Sequence, residues 1–242
     1  MEEKSIIAFQ NCTKSFGNKT VLNNISFSLS DGGKFISILG KSGSGKTTLI
    51  RLLAGLEKLN NGAILIHNKK VSEGGQIIIP PHQRDIGFVF QDLALFPHFT
   101  VFENIAFGLK VKKINGYETI VSAILKQFNI EELSSSYPNQ LSGGQQQLVA
   151  LARSLVLQPK ILLMDEPLAN LDVKLKTQIR SLLKQIVNER NITLLYITHD
   201  HSEAMEMSDK ILFLNEGSIE FLGTPEEMRQ SNNPNVQNFI EL

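Results

Sequence analysis

"KFISILGKSGSGKTTLI", Lys34 to Ile50, decides how the rest of the chain is read. An apolar run, "KFISIL", stops at a glycine, and a leucine-rich helical pattern, "TLIRLLAGL", resumes beyond it. The stretch between them, "GKSGSGKTT", fits G-x-x-x-x-G-K-[ST] with Gly40, Gly45, Lys46 and Thr47. The glycines let the backbone curl until several N–H groups point inward, as phosphate oxygens require. Lys46 brings a mobile positive charge to the β- and γ-phosphates, and the Thr47 hydroxyl is suited to Mg²⁺. The candidate nucleotide-binding set is therefore Gly40, Lys41, Ser42, Gly43, Ser44, Gly45, Lys46, Thr47 and Thr48.

Strands and turns precede this loop, in "SIIAFQNCTKSFG" and "VLNNISFSLSDGG". "GAILIHNKKV" and "RDIGFVFQ" read as further strand segments, and the text is mainly helical from Thr100 to about Val156. Strands and helices then alternate: "KILLMDEP", "KLKTQIRSLLKQIVNER", "NITLLYITHD", "SEAMEMS", and a final pair "KILFLNEG" and "SIEFLG". That alternation predicts an α/β fold with a parallel sheet covered by helices and an inserted helical lobe. The tail "QSNNPNVQNFIEL" is expected to be loosely held.

Two apolar strands end abruptly in chemistry-bearing residues. "ILLMDEP" ends in Asp165 and Glu166, at the edge of a parallel sheet where sites are built. Successive strand side chains face opposite ways, so the two acids have different jobs. Asp165 suits a direct or outer-sphere Mg²⁺ partner, and Glu166 suits the base that polarises an attacking water. "LLYITHD" ends at His199, which can hydrogen-bond a γ-phosphate or hold that water in line. His199 and His201 do not make a metal pair, since no Cys or third His is spaced to complete a site.

Composition narrows the class. The 242 residues are 42% hydrophobic and 20% charged, with 24 basic and 24 acidic side chains, so net charge gives no case for nucleic-acid binding. Cys12 is the single cysteine, which excludes an internal disulfide and fits a reducing compartment. No signal-peptide pattern opens the sequence, and no apolar run approaches the ~20 residues of a membrane span. Any membrane role is thus expected to come through a partner.

A second stretch poses a puzzle. "NQLSGGQQQ", Asn139 to Gln147, places two glycines at the start of a helix, where glycine weakens the helix and free N–H groups suit an anion. The chain already has its phosphate loop. In order, "GKSGSGKTT", "VFQ", "LSGGQ", "ILLMDEP", "LANLD" and "YITHD" resemble the motifs of the ATP-binding subunits of ABC transporters, over nearly the whole length. The resemblance implies a P-loop NTPase core of about 1–91 and 159–225 that includes an N-terminal antiparallel β subdomain. It also implies a helical subdomain of about 92–158 and a tail of 226–242. It answers the puzzle: two subunits pack head to tail, and Ser142, Gly143, Gly144 and Gln145 of one cover the ATP held by the other. The partner is a second copy or a homologous subunit.

Other roles are implied by the same resemblance. Phe16 lies where the family stacks an aromatic on adenine, although tyrosine is more common there. Gln91 corresponds to the glutamine that touches Mg²⁺ and moves with the helical lobe, and Asp172 to an aspartate at the dimer interface. Leu148 departs from the pattern, which usually has arginine, and puts the detailed geometry of its helix in question. "FQDLALFPHFTVFENIAFGL" is apolar between Asp92 and Glu103, so Leu93, Leu95, Phe96 and Phe99 either pack the helical lobe or shape a groove for a membrane subunit.

The wording of these stretches resembles importer subunits for sugars, polyamines, sulfate, ferric iron, molybdate and osmoprotectants. It implies integral-membrane permease partners, with a substrate-binding protein as a further candidate, and a place on the cytoplasmic face of the membrane. The regulatory β-domain that many such subunits carry after the core is not expected here. The alternatives are an efflux or lipid-moving system and a soluble ATPase acting on nucleic acid, the latter disfavoured by the charge balance. The transported substrate is chosen elsewhere.

Overall fold

The computed structural model describes residues 5–30, 32–168 and 171–240. The N-terminal part is a five-stranded antiparallel sheet. Its strands are β1 (Ile7–Phe16), β2 (Lys19–Leu29), and, beyond the phosphate loop, β4 (Asn61–Ile66), β5 (Lys69–Glu73) and β6 (Gln76–Ile77). They lie in the order β2-β1-β4-β5-β6. The second sheet is built from β3 (Phe35–Leu39), β7 (Ile86–Val89), β8 (Ile161–Asp165), β9 (Thr193–Ile197), β10 (Lys210–Asn215) and β11 (Ser218–Gly223). Its order is β11-β10-β3-β9-β8-β7, parallel from β10 to β7 with β11 antiparallel at the edge.

β3, β8 and β9 are buried at every position, as expected of parallel strands covered on both faces. Their side chains divide by alternation. Leu162, Met164, Leu194 and Tyr196 join one core, and Ile161, Leu163, Leu195 and Ile197 the other. The second core is closed by α1 (Lys46–Ala54) and the antiparallel sheet. The first is closed by α2 (Val101–Val111), α3 (Tyr117–Gln127), α4 (Gly143–Leu155) and α5 (Val173–Arg190). A third, smaller core lies under α6 (His201–Met207), α7 (Pro225–Arg229) and α8 (Pro234–Ile240).

The helix starts are well signed in the chemistry. Thr100 with Glu103 and Ser142 with Gln145 form capping boxes at α2 and α4, and the Asp172 side chain accepts the Leu175 N–H at α5. The tail differs from its expected looseness. Val236 and Phe239 of α8 are buried, and the Phe239 ring stacks on Phe213 and His201. Two anchors three residues apart on one helix face outweigh the polar composition of the segment. Among the described residues no helix is long and apolar enough to cross a membrane.

Arg84 holds the two sheets' neighbourhoods together. It follows a short 3₁₀ turn at Pro81–Gln83 and is buried. Its guanidinium donates to the carbonyls of Leu52 and Leu53 in the last turn of α1, of Ile79, and of Val71 on β5, and to the Ser72 hydroxyl. It thus satisfies helix-end carbonyls and favours the negative end of the α1 dipole. Burial lowers its pKa to about 10. Gly55 closes α1 beside it, and a Cβ there would lie 2.6 Å from the guanidinium carbon.

Candidate active site at the carboxyl edge of the parallel sheet

Sheet order turns distant segments into neighbours. The strands β3, β9, β8 and β7 stand side by side, and each runs at its carboxyl end into one motif. Lys46 and Thr47 follow β3, Thr198 and His199 follow β9, Asp165 and Glu166 close β8, and Gln91 follows β7. A cleft of about 440 Å³ lies over this row, lined by Ser42, Gly43, Gly45, Lys46, Thr47 and Thr48, by Gln91, Glu166 and His199, and by Lys19 and Val21 of β2.

The loop is shaped by close approach. A Cβ at Gly40 would lie 2.1 Å from the Leu214 carbonyl oxygen, and one at Gly45 would meet Leu22 at 2.6 Å. Both glycines also have left-handed φ, so larger residues are excluded twice over. The Lys46 ammonium donates to the carbonyls of Gly40 and Lys41 at 2.8 and 3.0 Å, folding back over its own loop. Burial lowers its pKa, while Glu166 and Asp165 pull the other way. Ser44 Oγ is buried in the same loop with no hydrogen-bond partner among the described residues.

The acids behave differently, as strand alternation requires. Asp165 is buried and accepts the Thr47 hydroxyl at 2.9 Å. Burial raises its pKa and the Glu166 charge adds to this, against the pull of the Thr47 hydrogen bond and of Arg51 and Lys46. Glu166 adopts a left-handed φ of 48°, an uncommon conformation for a side-chain-bearing residue. That turn brings its carboxylate to His199, whose Nε2 lies 2.5 Å from Glu166 Oε1. The His199 side chain is 50% exposed and that of Glu166 is 19% exposed, so the pair opens to the cleft.

The remaining sequence candidates lie elsewhere. Phe16 is an exposed residue at the end of β1, with the Lys14 ammonium 4.3 Å from its ring centroid, and it does not line the cleft. Ser142, Gly143, Gly144 and Gln145 begin α4 and do not line it either. A Cβ at Gly144 would lie 2.1 Å from Leu175 Cδ2, whereas one at Gly143 would meet nothing within 4 Å. Among the described residues the first glycine answers to no neighbour. Asp172 serves as the α5 cap, and Ala169 and Asn170 of "LANLD" lie outside the described residues. Leu148 packs on the larger core, and the nearby Arg153 donates to the Leu93 and Ala94 carbonyls.

A second hollow lies beside the stretch read as a possible groove, with a different lining from the one the sequence suggests. Leu93 and Leu95 pack against the core, and the Phe96 and Phe99 rings meet Phe107 at a tilt. An apolar groove of about 400 Å³ is lined by other residues, among them Pro81, Ile86, Phe107, Val111, Leu157 and Pro159. Phe107 is 40% and Val111 66% exposed. The signal was present: the buried stripe of α2 is complete with Val101, Ile105, Ala106 and Leu109, leaving an apolar i, i+4 pair on the outer face.

Known proteins resemble this chain in sequence and in fold. The ABC transporter family pattern matches residues 22–169. The spermidine/putrescine import ATP-binding protein PotA of Pasteurella multocida is 44% identical over 230 residues, covering 94% of this chain and 60% of PotA. The chain therefore spans about three-fifths of the length of that relative. The probable sulfate/thiosulfate import ATP-binding protein CysA of Chlorella vulgaris is 43% identical over 98% of this chain and 99% of its own length. The Fe(3+) ions import ATP-binding protein FbpC of Vibrio cholerae is 44% identical over 94% of this chain. Among solved structures, the dimeric bacterial ABC transporter cassette MJ0796 superposes with a TM-score of 0.81 at 34% identity, covering 90% of this chain and 98% of that one. A dimeric post-hydrolysis state of the same cassette, bound to ADP and Pi, gives 0.80. With a family match over more than half its length and a relative matched almost end to end, the chain belongs to the ABC transporter family.

Proposed function

We propose that this chain is the ATP-hydrolysing subunit of an ABC import system. The observation that carries the reading is the row of Lys46–Thr47, His199, Glu166 and Gln91 along one sheet edge, lining one cleft, with Asp165 buried behind Thr47. The donor set suits a nucleoside triphosphate with Mg²⁺. Left-handed glycines shape the loop, an orphaned Ser44 hydroxyl sits within it, and a helix N-terminus follows it. Thr47, Asp165 and Gln91 offer hard oxygen donors, the chemistry a magnesium ion selects. ATP supplies the transferable γ-phosphoryl group, and Mg²⁺ neutralises its charge.

In this reading Lys46 leaves its two carbonyl partners and pairs with the β- and γ-phosphate oxygens. Glu166 takes up the proton of the attacking water through Oε2, the oxygen not engaged by His199, and His199 orients the carboxylate through its contact with Oε1. Phe16 stacks on the adenine ring. Gly143, whose Cβ position is open among the described residues, and the first N–H groups of α4 cap the triphosphate bound to a second copy, and Asp172 lies along the same interface. The apolar groove at Phe107 and Val111 receives a cytoplasmic segment of a permease, which holds the chain at the inner face of the membrane. A substrate-binding protein completes the importer, and no nucleic acid takes part. The relatives named for polyamine, sulfate and ferric-ion import support an importer over an exporter.

Two substitutions test this reading. Lys46→Ala removes the ammonium that lines the cleft next to Thr47, and ATP affinity is expected to fall at least about tenfold. Equilibrium binding of a fluorescent ATP analogue measures it, and an unchanged affinity contradicts the phosphate-loop role. Ser142→Arg is expected to abolish ATPase activity while monomer ATP binding persists. Mixed with Lys46→Ala subunits, it should regain activity, because one composite site then carries an intact loop and an intact cap. Mixtures that stay inactive count against completion of the site by a partner.

A further inference from the structure

A cluster of buried polar contacts lies directly behind His199. At its centre is Glu203 on α6, which is 4% exposed. Its Oε1 accepts the Tyr196 hydroxyl at 2.7 Å and Arg180 Nε of α5 at 2.9 Å. Its Oε2 accepts the Thr198 hydroxyl at 2.6 Å. Thr198 Oγ1 in turn accepts the Asp200 N–H, and Asp200 Oδ1 accepts the Glu203 N–H. The residues on both sides of His199 are therefore tied to one buried carboxylate.

The His199 ring has little else to aim it. Among the described residues its polar partner is Glu166, and half of the side chain faces solvent. Its direction is set by the backbone of the turn from Thr198 to Asp200. The cap of α6 does not need the Glu203 side chain, because Asp200 supplies it. A buried carboxylate is costly to keep where apolar packing would serve stability alone. The cost is matched by what the carboxylate joins: the end of β9, the turn bearing His199, and α5, which starts a few residues beyond Glu166.

We propose that Glu203 is a positioning residue for hydrolysis: through Thr198 and Asp200 it fixes the turn that points His199 at Glu166. The inference rests on the hydrolytic role of His199 proposed above. Glu203→Ala would strip three donors of their acceptor and endanger folding, so the link is better cut one bond away. Thr198→Val removes the hydroxyl with little change of shape and leaves the Glu203–Arg180–Tyr196 contacts in place. Its kcat for ATP is expected to fall about tenfold, with KM within about twofold of native. Thr198→Ser should restore kcat to within about threefold, and on a His199→Ala background Thr198→Val should change kcat less than about twofold. A Thr198→Val chain with native kcat overturns the proposal, and so does the same fractional loss with and without His199.

A proton NMR readout needs no turnover. The His199 imidazole line, assigned by its loss in His199→Ala, is expected to shift in Thr198→Val and return in Thr198→Ser. An unmoved line overturns the positioning role. A native chain without ATPase activity refutes the hydrolytic reading instead, and the imidazole line still decides whether Glu203 and Thr198 aim the ring.

Discussion

A Glu166→Gln chain is expected to hold ATP with native affinity and to turn it over at least about 100-fold more slowly. The amide keeps the size and planarity of the carboxylate at a backbone position whose φ of 48° already constrains it. What it loses is the ability to take a proton. It also loses a negative charge next to Asp165, and that charge opposes the triphosphate and raises the Asp165 pKa after burial has done so. Binding is therefore maintained as the chemical step fails, and an ATP-bound dimer should accumulate. Size-exclusion chromatography with ATP and Mg²⁺ reads the dimer, and phosphate release reads the rate. Turnover within fivefold of native would remove Glu166 from the role of base.

Arg84→Ala is the largest expected loss of stability. Four backbone carbonyls and the Ser72 hydroxyl give up a charged donor at once, and the deleted side chain leaves a hollow beside Gly55. Orphaned buried acceptors and lost packing together place the cost at roughly 3–5 kcal/mol. At about 2–4 °C per kcal/mol for a chain of this size, the thermal midpoint should fall by about 10 °C. Arg84→Lys should recover less than half of this, because one ammonium cannot span α1, β5 and Ile79. A shift below about 3 °C by circular dichroism would show that the network contributes little.

The parts of the fold legible in the sequence were those written in local pattern. The run "FISIL" and the strand "ILLMD" announce themselves because strands covered on both faces are apolar throughout. The phosphate loop, the acids and His199 were legible because each ends such a run. Arg84 was not, since a lone arginine after a proline turn looks like any solvated residue until its acceptors, up to 32 positions away, are seen. The same holds for Glu203, whose partners Arg180 and Tyr196 come from other elements. The helix α8 was misjudged because two buried anchors were diluted by polar neighbours. A groove is legible in the stretch after Gln91 but its lining is not, because Leu93 and Leu95 pack on the core while Phe107 and Val111 reach the surface only once α2 is formed.

The placement of β3 between β9 and β10 bears on how the protein is made. The ribosome releases β3 before either flanking strand exists, and roughly 150 residues more must be added before the first of them appears. At about 5–20 residues per second that wait lasts roughly 8–30 s. During it "FISIL" has no permanent partner on either side, a sticky strand in search of company. The growing chain should thus need chaperone protection through that interval, and nucleotide should be of no help to it until β8 and β9 have emerged.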